Sequence, residues 1–376
     1  MSQNPVTVLQ LCEHFGGKEA SLHGVARAFQ WWLPMFDKTR FRMLLCSRKG
    51  YDKAAEQMKQ CGVDPLYLGY GKMDPRNLLR LVKLVRDENV DIIHAHGFGA
   101  CMWARLAEFI VKKPVIVHGR ANYVTVPIVM RPVERFLGPR TRYALAVSES
   151  TRQYMIHKRH IPSGVVQTVY NGILLDKIRP ADLEWIRAFR AVNGAATGEK
   201  VIGVVGRLVG HKGHRDLFDA LLRIRDDHPN ARVWVVGDGD FLPDLEAWVR
   251  AHDLEEVVRF IGFRLDVLNV IQCFDVQVFP SHLEGTPNTL YEAMGVGNCI
   301  VAAPTDGQGE VLTDGRDALI YPVGDRAALA DCLRRVLAVD GPANDLRAAA
   351  RARAPDFDGR NCIRKLEELY QRIMAQ

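Results

Sequence analysis

Short apolar runs recur along the chain with amphipathic stretches between them, a pattern that predicts parallel strands alternating with helices. In the first half the strand-like runs are residues 6–11, 41–46, 91–94, 115–118, 144–148 and 166–169. Helical periodicity falls between them, over 77–88 and 100–111 among others. In the second half the runs are 201–205, 232–236, 258–261, 275–279, 299–302 and 318–321. Residues 348–376 read as helical, apart from a break near Pro355-Asp356-Phe357. The expected fold class is α/β, with two doubly wound domains facing each other across a cleft.

A chain of 376 residues exceeds what one hydrophobic core serves, which supports two domains, residues 1–175 and 176–355, with a terminal segment over 356–376. The hinge is expected around residues 171–180, where Asn171-Gly172 makes a turn. The charge balance also changes sign there. Residues 1–180 carry 27 Lys+Arg against 14 Asp+Glu, and the remainder 23 against 30. A basic first half points to an anionic partner such as a membrane surface, an anionic glycan, a lipid-linked phosphate or nucleic acid. A solvated surface with a chance bias is the plainer reading. No run of 18 apolar residues exists, the N-terminus lacks the features of a signal peptide, and the eight cysteines form no C-x-x-C pair. The expected compartment is a reducing, cytoplasmic one.

The densest chemistry lies in Phe279-Pro280-Ser281-His282-Leu283-Glu284-Gly285-Thr286-Pro287-Asn288-Thr289-Leu290-Tyr291-Glu292. It sets Glu284 in the loop after a strand and Glu292 about one turn into the next helix. Carboxylates accept from neighbouring hydroxyls, so this pair suits a ligand with two polyol portions. Gly206-Arg207-Leu208-Val209-Gly210-His211-Lys212-Gly213 follows the first strand of the second half. Arg207 and Lys212 there could clamp a diphosphate, and the segment lacks the G-K-[ST] ending of a triphosphatase loop. Gly16-Gly17 could bring backbone N–H groups to a phosphate, although glycine also serves plain turn geometry there. Gly237-Asp238-Gly239-Asp240 could be a metal–diphosphate pair but reads better as a turn. His94, His96 and His118 end two strands at the edge where ligands bind. His118 is the candidate contact, and His94 and His96 shape the pocket, beside Arg120.

Assembled in order, these segments resemble the retaining, nucleotide-sugar-dependent glycosyltransferases of family 4, which have the GT-B fold. The resemblance runs through Gly16-Gly17, Asp91-Ile-Ile-His94-Ala-His96, Val117-His118-Gly119, Val147-Ser148-Glu149 and Asn171-Gly172-Ile173. It continues through Gly206-Arg207, Lys212-Gly213, Val236-Gly237-Asp238-Gly239, Phe260-Ile261-Gly262, the Glu284 to Glu292 segment and Asp306-Gly307 with Glu310. It implies that Arg207 and Lys212 hold the donor diphosphate, with a backbone contact from Gly17. It also implies Glu292 on the ribose, Glu284 on the transferred sugar, the backbone beside Gly262 and Phe263 on the base, and His118 at the sugar. Gly16, Gly285, Thr286, Asn288, Thr289 and Leu290 complete the implied donor set, with catalysis assigned to His118, Arg207, Lys212 and Glu284. Residues 356–376 resemble the family's helix that crosses back to the N-terminal domain.

No metal or other cofactor is implied. Departures from the family pattern are Gly210-His211 before Lys212, Gln308-Gly309 before Glu310 and Thr286-Pro287-Asn288.

The expected activity is transfer of a sugar from a UDP-sugar, ahead of a GDP-sugar, to an anionic glycan or lipid-linked acceptor, as in polysaccharide or lipopolysaccharide biosynthesis. Nucleic acid is not an expected partner. Arg131, Arg135, Arg140 and Arg142, with Phe136 and Leu137, suggest peripheral contact with the inner membrane face. The alternatives are an epimerase or phosphorylase on the same fold, or a non-catalytic two-domain binding protein.

Overall fold

The chain, seen here as a computed structural model, is described over residues 4–16, 24–59, 62–120, 126 and 128–376. It divides into two compact units, residues 1–172 with 359–376, and residues 173–358. An isolated bridge between Ile173 and Asp358, with Ile173 N–H donating to the Phe357 carbonyl at 3.2 Å, ties the two ends of the second unit together. That pairing sets the changeover a few residues away from the expected 175/176 and 355/356.

The first unit holds a seven-stranded sheet: β1 (Val6–Cys12), β2 (Phe41–Ser47), β3 (Leu66–Tyr67), β4 (Ile92–His96), β5 (Val115–Gly119), β6 (Tyr143–Ala146) and β7 (Val166–Thr168). Its order is β3-β2-β1-β4-β5-β6-β7, and every pairing is parallel. β4 and β5 are buried along their whole length, as strands covered on both faces must be. β3, two residues long, carries too little pattern to be read from sequence. β6 stops at Ala146 because Ser148 leaves the sheet to cap the helix Glu149–Arg159, its Oγ accepting from Thr151 N–H at 3.1 Å.

Alternation along the strands separates two cores. Leu9, Leu11, Ile93, Ala95 and Val117 face one way, and Val8, Ile92, Ile116 and Leu145 the other. The second face is covered by the helices Gly24–Trp32 and Gly359–Met374. The latter buries Cys362, Ile363, Leu366, Leu369, Tyr370 and Ile373, the three-four spacing of one helical stripe.

The second unit holds β8 (Lys200–Val205), β9 (Ala231–Val236), β10 (Val258–Gly262), β11 (Val276–Phe279), β12 (Cys299–Ala302) and β13 (Leu319–Ile320). Its order is β10-β9-β8-β11-β12-β13, again all parallel. Both units are therefore Rossmann-like, with strand order reversing between β1 and β4 in one and between β8 and β11 in the other. Among the described residues no helix is long and apolar enough to cross a membrane.

Candidate functional site

In the second unit the reversal point is built by loops pressed together through glycine. Gly213, at φ 70°, passes so close to β11 that a Cβ would lie 1.9 Å from the Pro280 carbonyl oxygen. Gly237, at φ 141°, would meet the Gly206 carbonyl at the same distance. The Gly237–Gly239 stretch thus props the loop after β8. Leu208 N–H donates to the Asp238 carbonyl at 2.9 Å, and Asp238 Oδ1 accepts from the Gly239 N–H at 2.7 Å. His282 N–H donates to the His211 carbonyl at 2.8 Å and fastens the loop after β11 to the same place.

This fastening brings Lys212 Nζ onto Glu284 Oε2 as an ion pair, each side chain about five-sixths buried. A depression beside it is lined by Gly206, Lys212, His214, Ser281, Glu284 and Thr289. Arg207 is exposed and has no ion-pair partner among the described residues. Burial, with Lys212 and His211 as lesser causes, pulls the His214 pKa down to about 4, so its imidazole is neutral. Burial and then Lys212 also lower His211. Buried Asp216 pairs with His282 Nε2 and with Arg326 Nε at 2.8 Å.

The helix Asn288–Val296 begins here after Pro287, with no side-chain cap. Asn288 and Thr289 are half-buried in its first turn, and Gly285 and Thr286 are buried just before it. Because all six strands are parallel, Gly262 and exposed Phe263 end β10 at the same sheet edge, two strands from β8. Two residues lie deeper than their spacing suggested. Leu290 and Glu292 are fully buried, and the Leu290 N–H is spent on the Pro287 carbonyl at 3.0 Å. Leu290 is a core residue of this unit.

The first unit treats its reversal point differently. Glu13, at the end of β1, sends Oε1 to the N–H groups of Gly99 and, at 3.0 Å, Ala100, in the first turn of the helix Phe98–Val111. Its Oε2 accepts from Arg48 Nε at 2.6 Å, and Arg48 is 3% exposed at its side chain. Sequence reasoning missed Glu13, because its partners lie 35 and 86 residues away and no local spacing marks it.

The Gly16 N–H, expected to face a phosphate, donates instead to Asp52 Oδ2 at 3.3 Å, as does the Phe15 N–H at 3.1 Å. Gly17 lies outside the described residues.

The three histidines share one face of the first sheet. Gln10, His94, His96 and His118 point to the sheet face beneath the C-terminal helix, not outward from the strand ends, and all are at most 2% exposed. His94 Nδ1 lies 2.7 Å from Tyr370 Oη, and His94 Nε2 lies 2.9 Å from His118 Nδ1. His96 Nε2 meets Gln10 Oε1 at 2.7 Å, and Gln10 Nε2 donates to Tyr370 Oη at 2.9 Å. Half-buried Arg120 donates to His96 Nδ1 from Nη2 at 3.1 Å and to Asn171 Oδ1 at 2.7 Å, with its guanidinium over the Trp32 ring. Burial is the largest cause holding all three imidazoles well below their ordinary pKa, and Arg120 adds to it at each. Nitrogens of the three rings come within 4.8 Å of one another, a spacing a cation would fit. A cation there would displace these hydrogen bonds and sit beside the Arg120 charge, so the cluster suits a hydrogen-bonded relay better.

Comparison with known proteins agrees with this architecture. Residues 22–177 match the profile of Glycosyltransferase Family 4, and residues 186–353 match that of Glycosyl transferases group 1. The chain belongs to glycosyltransferase family 4. The family 4 chain is 24% identical over 282 residues, 70% of each protein, to an Escherichia coli UDP-Gal:alpha-D-GlcNAc-diphosphoundecaprenol alpha-1,3-galactosyltransferase. It is 33% identical over 150 residues to the Rhizobium meliloti lipopolysaccharide core biosynthesis glycosyltransferase LpsD, covering 40% of this chain and 42% of that one. Its fold matches that of Anabaena HepE, solved with UDP, at a TM-score of 0.82, with 21% identity over 97% of this chain and 100% of the other. A Rickettsia africae glycosyltransferase matches at 0.86, with 16% identity and 99% of both chains covered. As a glycosyltransferase of the GT-B class, it carries two Rossmann-like domains and no membrane-crossing helix among its described residues.

Proposed function

We propose that this enzyme transfers a sugar from a UDP-sugar to a hydroxyl of a glycan or lipid-linked acceptor, with retention of anomeric configuration and without a metal ion. One observation carries the reading. Arg207, a cation with no ion-pair partner among the described residues, and a second cation, Lys212, stand at the β8/β11 reversal point beside a helix start with no side-chain cap. An anion is what that arrangement accepts. The names of the E. coli relative and of the HepE complex support uridine diphosphate, and the LpsD match supports a cell-surface glycan as product.

The bond from the anomeric carbon to the diphosphate oxygen breaks as the acceptor oxygen bonds to that carbon. The acceptor proton passes to the departing phosphate oxygen on the same face. Arg207 and Lys212 favour this step because negative charge grows on the diphosphate as it leaves. Glu284 uses one of the three Lys212 N–H donors, leaving two for phosphate oxygens while its own carboxylate is turned toward sugar hydroxyls. Glu292 meets the ribose.

A lipid-linked acceptor gains support from exposed Phe109, Ile110 and Phe136, which lie near exposed Arg131, Arg135 and Arg140. Leu137 is buried and Arg142 is paired with Glu108 at 2.7 Å, so neither belongs to that patch.

Thermal shift with UDP, GDP and ADP tests the donor. UDP should raise Tm the most, and no rise with any of the three would reject a nucleotide site. Arg207→Ala should lower the transfer rate by about 10²–10³-fold, the usual loss for one group on a developing anion. Inverted product in the NMR of the anomeric proton would reject retention, and loss of activity with chelator would reject metal independence.

A further inference from the structure

Lys212 and Glu284 come from different loops of the second unit, and one residue ties those loops together twice. The His282 N–H donates to the His211 carbonyl at 2.8 Å, and His282 Nε2 meets Asp216 Oδ2. His211 and Asp216 flank Lys212 along the chain, and Glu284 follows soon after His282. Each partner of the Lys212–Glu284 ion pair therefore lies close to one end of the tie. Leu283, between His282 and Glu284, is 46% exposed and gives the loop no apolar anchor.

The anchor for the ring is rigid. Asp216 sits in the first turn of the helix His214–Ile224, its side chain 5% exposed, with its N–H on the Gly213 carbonyl at 3.0 Å. Its other oxygen accepts from Arg326 Nε at 2.8 Å, and Arg326 Nη1 lies 2.7 Å from Asp219 Oδ2. A carboxylate only accepts, so the proton in the His282 contact is on Nε2. The ring itself is 44% exposed at its side chain. Ordering such a ring costs rotamer freedom, which the contact with a buried carboxylate offsets.

We propose that His282 is a positioning residue, held by Asp216, that sets the Glu284 carboxylate against Lys212 for the sugar and the diphosphate of the donor. This rests on the reading of Lys212 and Glu284 as donor contacts. His282 does not line the depression beside Lys212, Ser281 and Glu284, so it acts through Glu284. A displacement of about 1 Å at a reacting centre can cost about a hundredfold in rate. UDP alone has no transferred sugar for Glu284 to hold, so its binding should not depend on the tie.

The test compares His282→Ala, His282→Gln, Asp216→Asn and Asp219→Ala in the full chain. Acetic anhydride labelling of Lys212, read by peptide mass spectrometry, reports the ion pair without substrate. UDP release from UDP-glucose and UDP-galactose reports turnover, and calorimetry reports UDP affinity. His282→Ala should make Lys212 react severalfold faster. It should lower kcat about ten- to a hundredfold and leave UDP affinity within about twofold. His282→Gln, whose amide can donate to Asp216, should recover most of the loss. Asp216→Asn offers one acceptor oxygen to two donors, so its loss should fall between the two. Asp219→Ala breaks only the outer Arg326 pair and should change neither labelling nor turnover.

An unchanged Lys212 rate or an unchanged kcat in His282→Ala would overturn the proposal. So would an equal loss in Asp219→Ala, or a fall in UDP affinity that matches the fall in kcat, since either marks a general collapse of the pocket. A wild-type chain that neither binds UDP nor releases it would overturn the donor reading instead. Lys212 labelling needs no substrate and still decides whether His282 sets the pair.

Discussion

The two sheets reverse strand order at equivalent places and fill those places in opposite ways. At β1/β4 the chain supplies its own anion: the Glu13 carboxylate sits on the N–H groups of Gly99 and Ala100 and is held by Arg48. At β8/β11 the chain supplies cations, Arg207 and Lys212, beside the helix Asn288–Val296 whose start has no side-chain cap. One helix N-terminus is satisfied from within, and at the other the proposed function places an external anion. A shared topology thus says where a ligand could bind, and the charge placed there says whether it does.

The sharpest way to break this contrast is to remove the internal anion. Glu13→Ala leaves the Arg48 guanidinium buried without its carboxylate and should destabilise the chain by about 3–5 kcal/mol, read from urea unfolding. UDP affinity should be unchanged in conditions where the variant is folded. A loss below about 1 kcal/mol would mean that Glu13 is not the anion that completes the first unit.

Acidification separates the units next. His94, His96 and His118 have folded-state pKa values held below the unfolded value of about 6.5 by burial first. As pH falls through 6.5 the unfolded chain takes up protons that the folded one refuses, so their cost is absent above that pH and grows below it. Each contributes up to about 1.4 kcal/mol per pH unit. The second unit has His214, at about 4, as its deeply buried counterpart. Peptide-resolved hydrogen exchange between pH 6.5 and 5, corrected for intrinsic rates, should show β4 and β5 losing protection before β8 and β9. Parallel loss would reject the difference.

The gentlest probe is Pro287→Ser. Pro287 already holds the extended backbone of a helix cap, φ −70° and ψ 136°, so serine can place its hydroxyl on the first-turn N–H groups. Stability should rise by up to about 1 kcal/mol while UDP binding weakens severalfold. Stronger UDP binding would show that this helix start is not where the anion sits.

Much of this was legible from local pattern. Short apolar runs marked all strands but the two-residue β3. The cations of the β8 loop and Glu284 were legible too, since glycine turns after strands draw attention to their neighbours. What escaped were residues whose partners are remote in sequence. Asp52 takes up N–H groups of the loop that, read locally, offered them to a phosphate, and Glu13 takes up those opening the helix Phe98–Val111. Leu290 and Glu292 looked alike as neighbours of a polar turn, yet their depth is set by packing of the whole unit. The histidines were found, but the face they use depends on a helix more than 200 residues downstream.

That helix has a consequence for how the protein is made. Residues 173–358 form one unbroken stretch, so the second unit can close its core as soon as it leaves the ribosome. The first unit, although begun earlier, must wait for residues 359–376 to cover its second face. Order of synthesis and order of completion are thus reversed. The Tyr370 hydroxyl that lies against His94 arrives among the last residues to reach that unit.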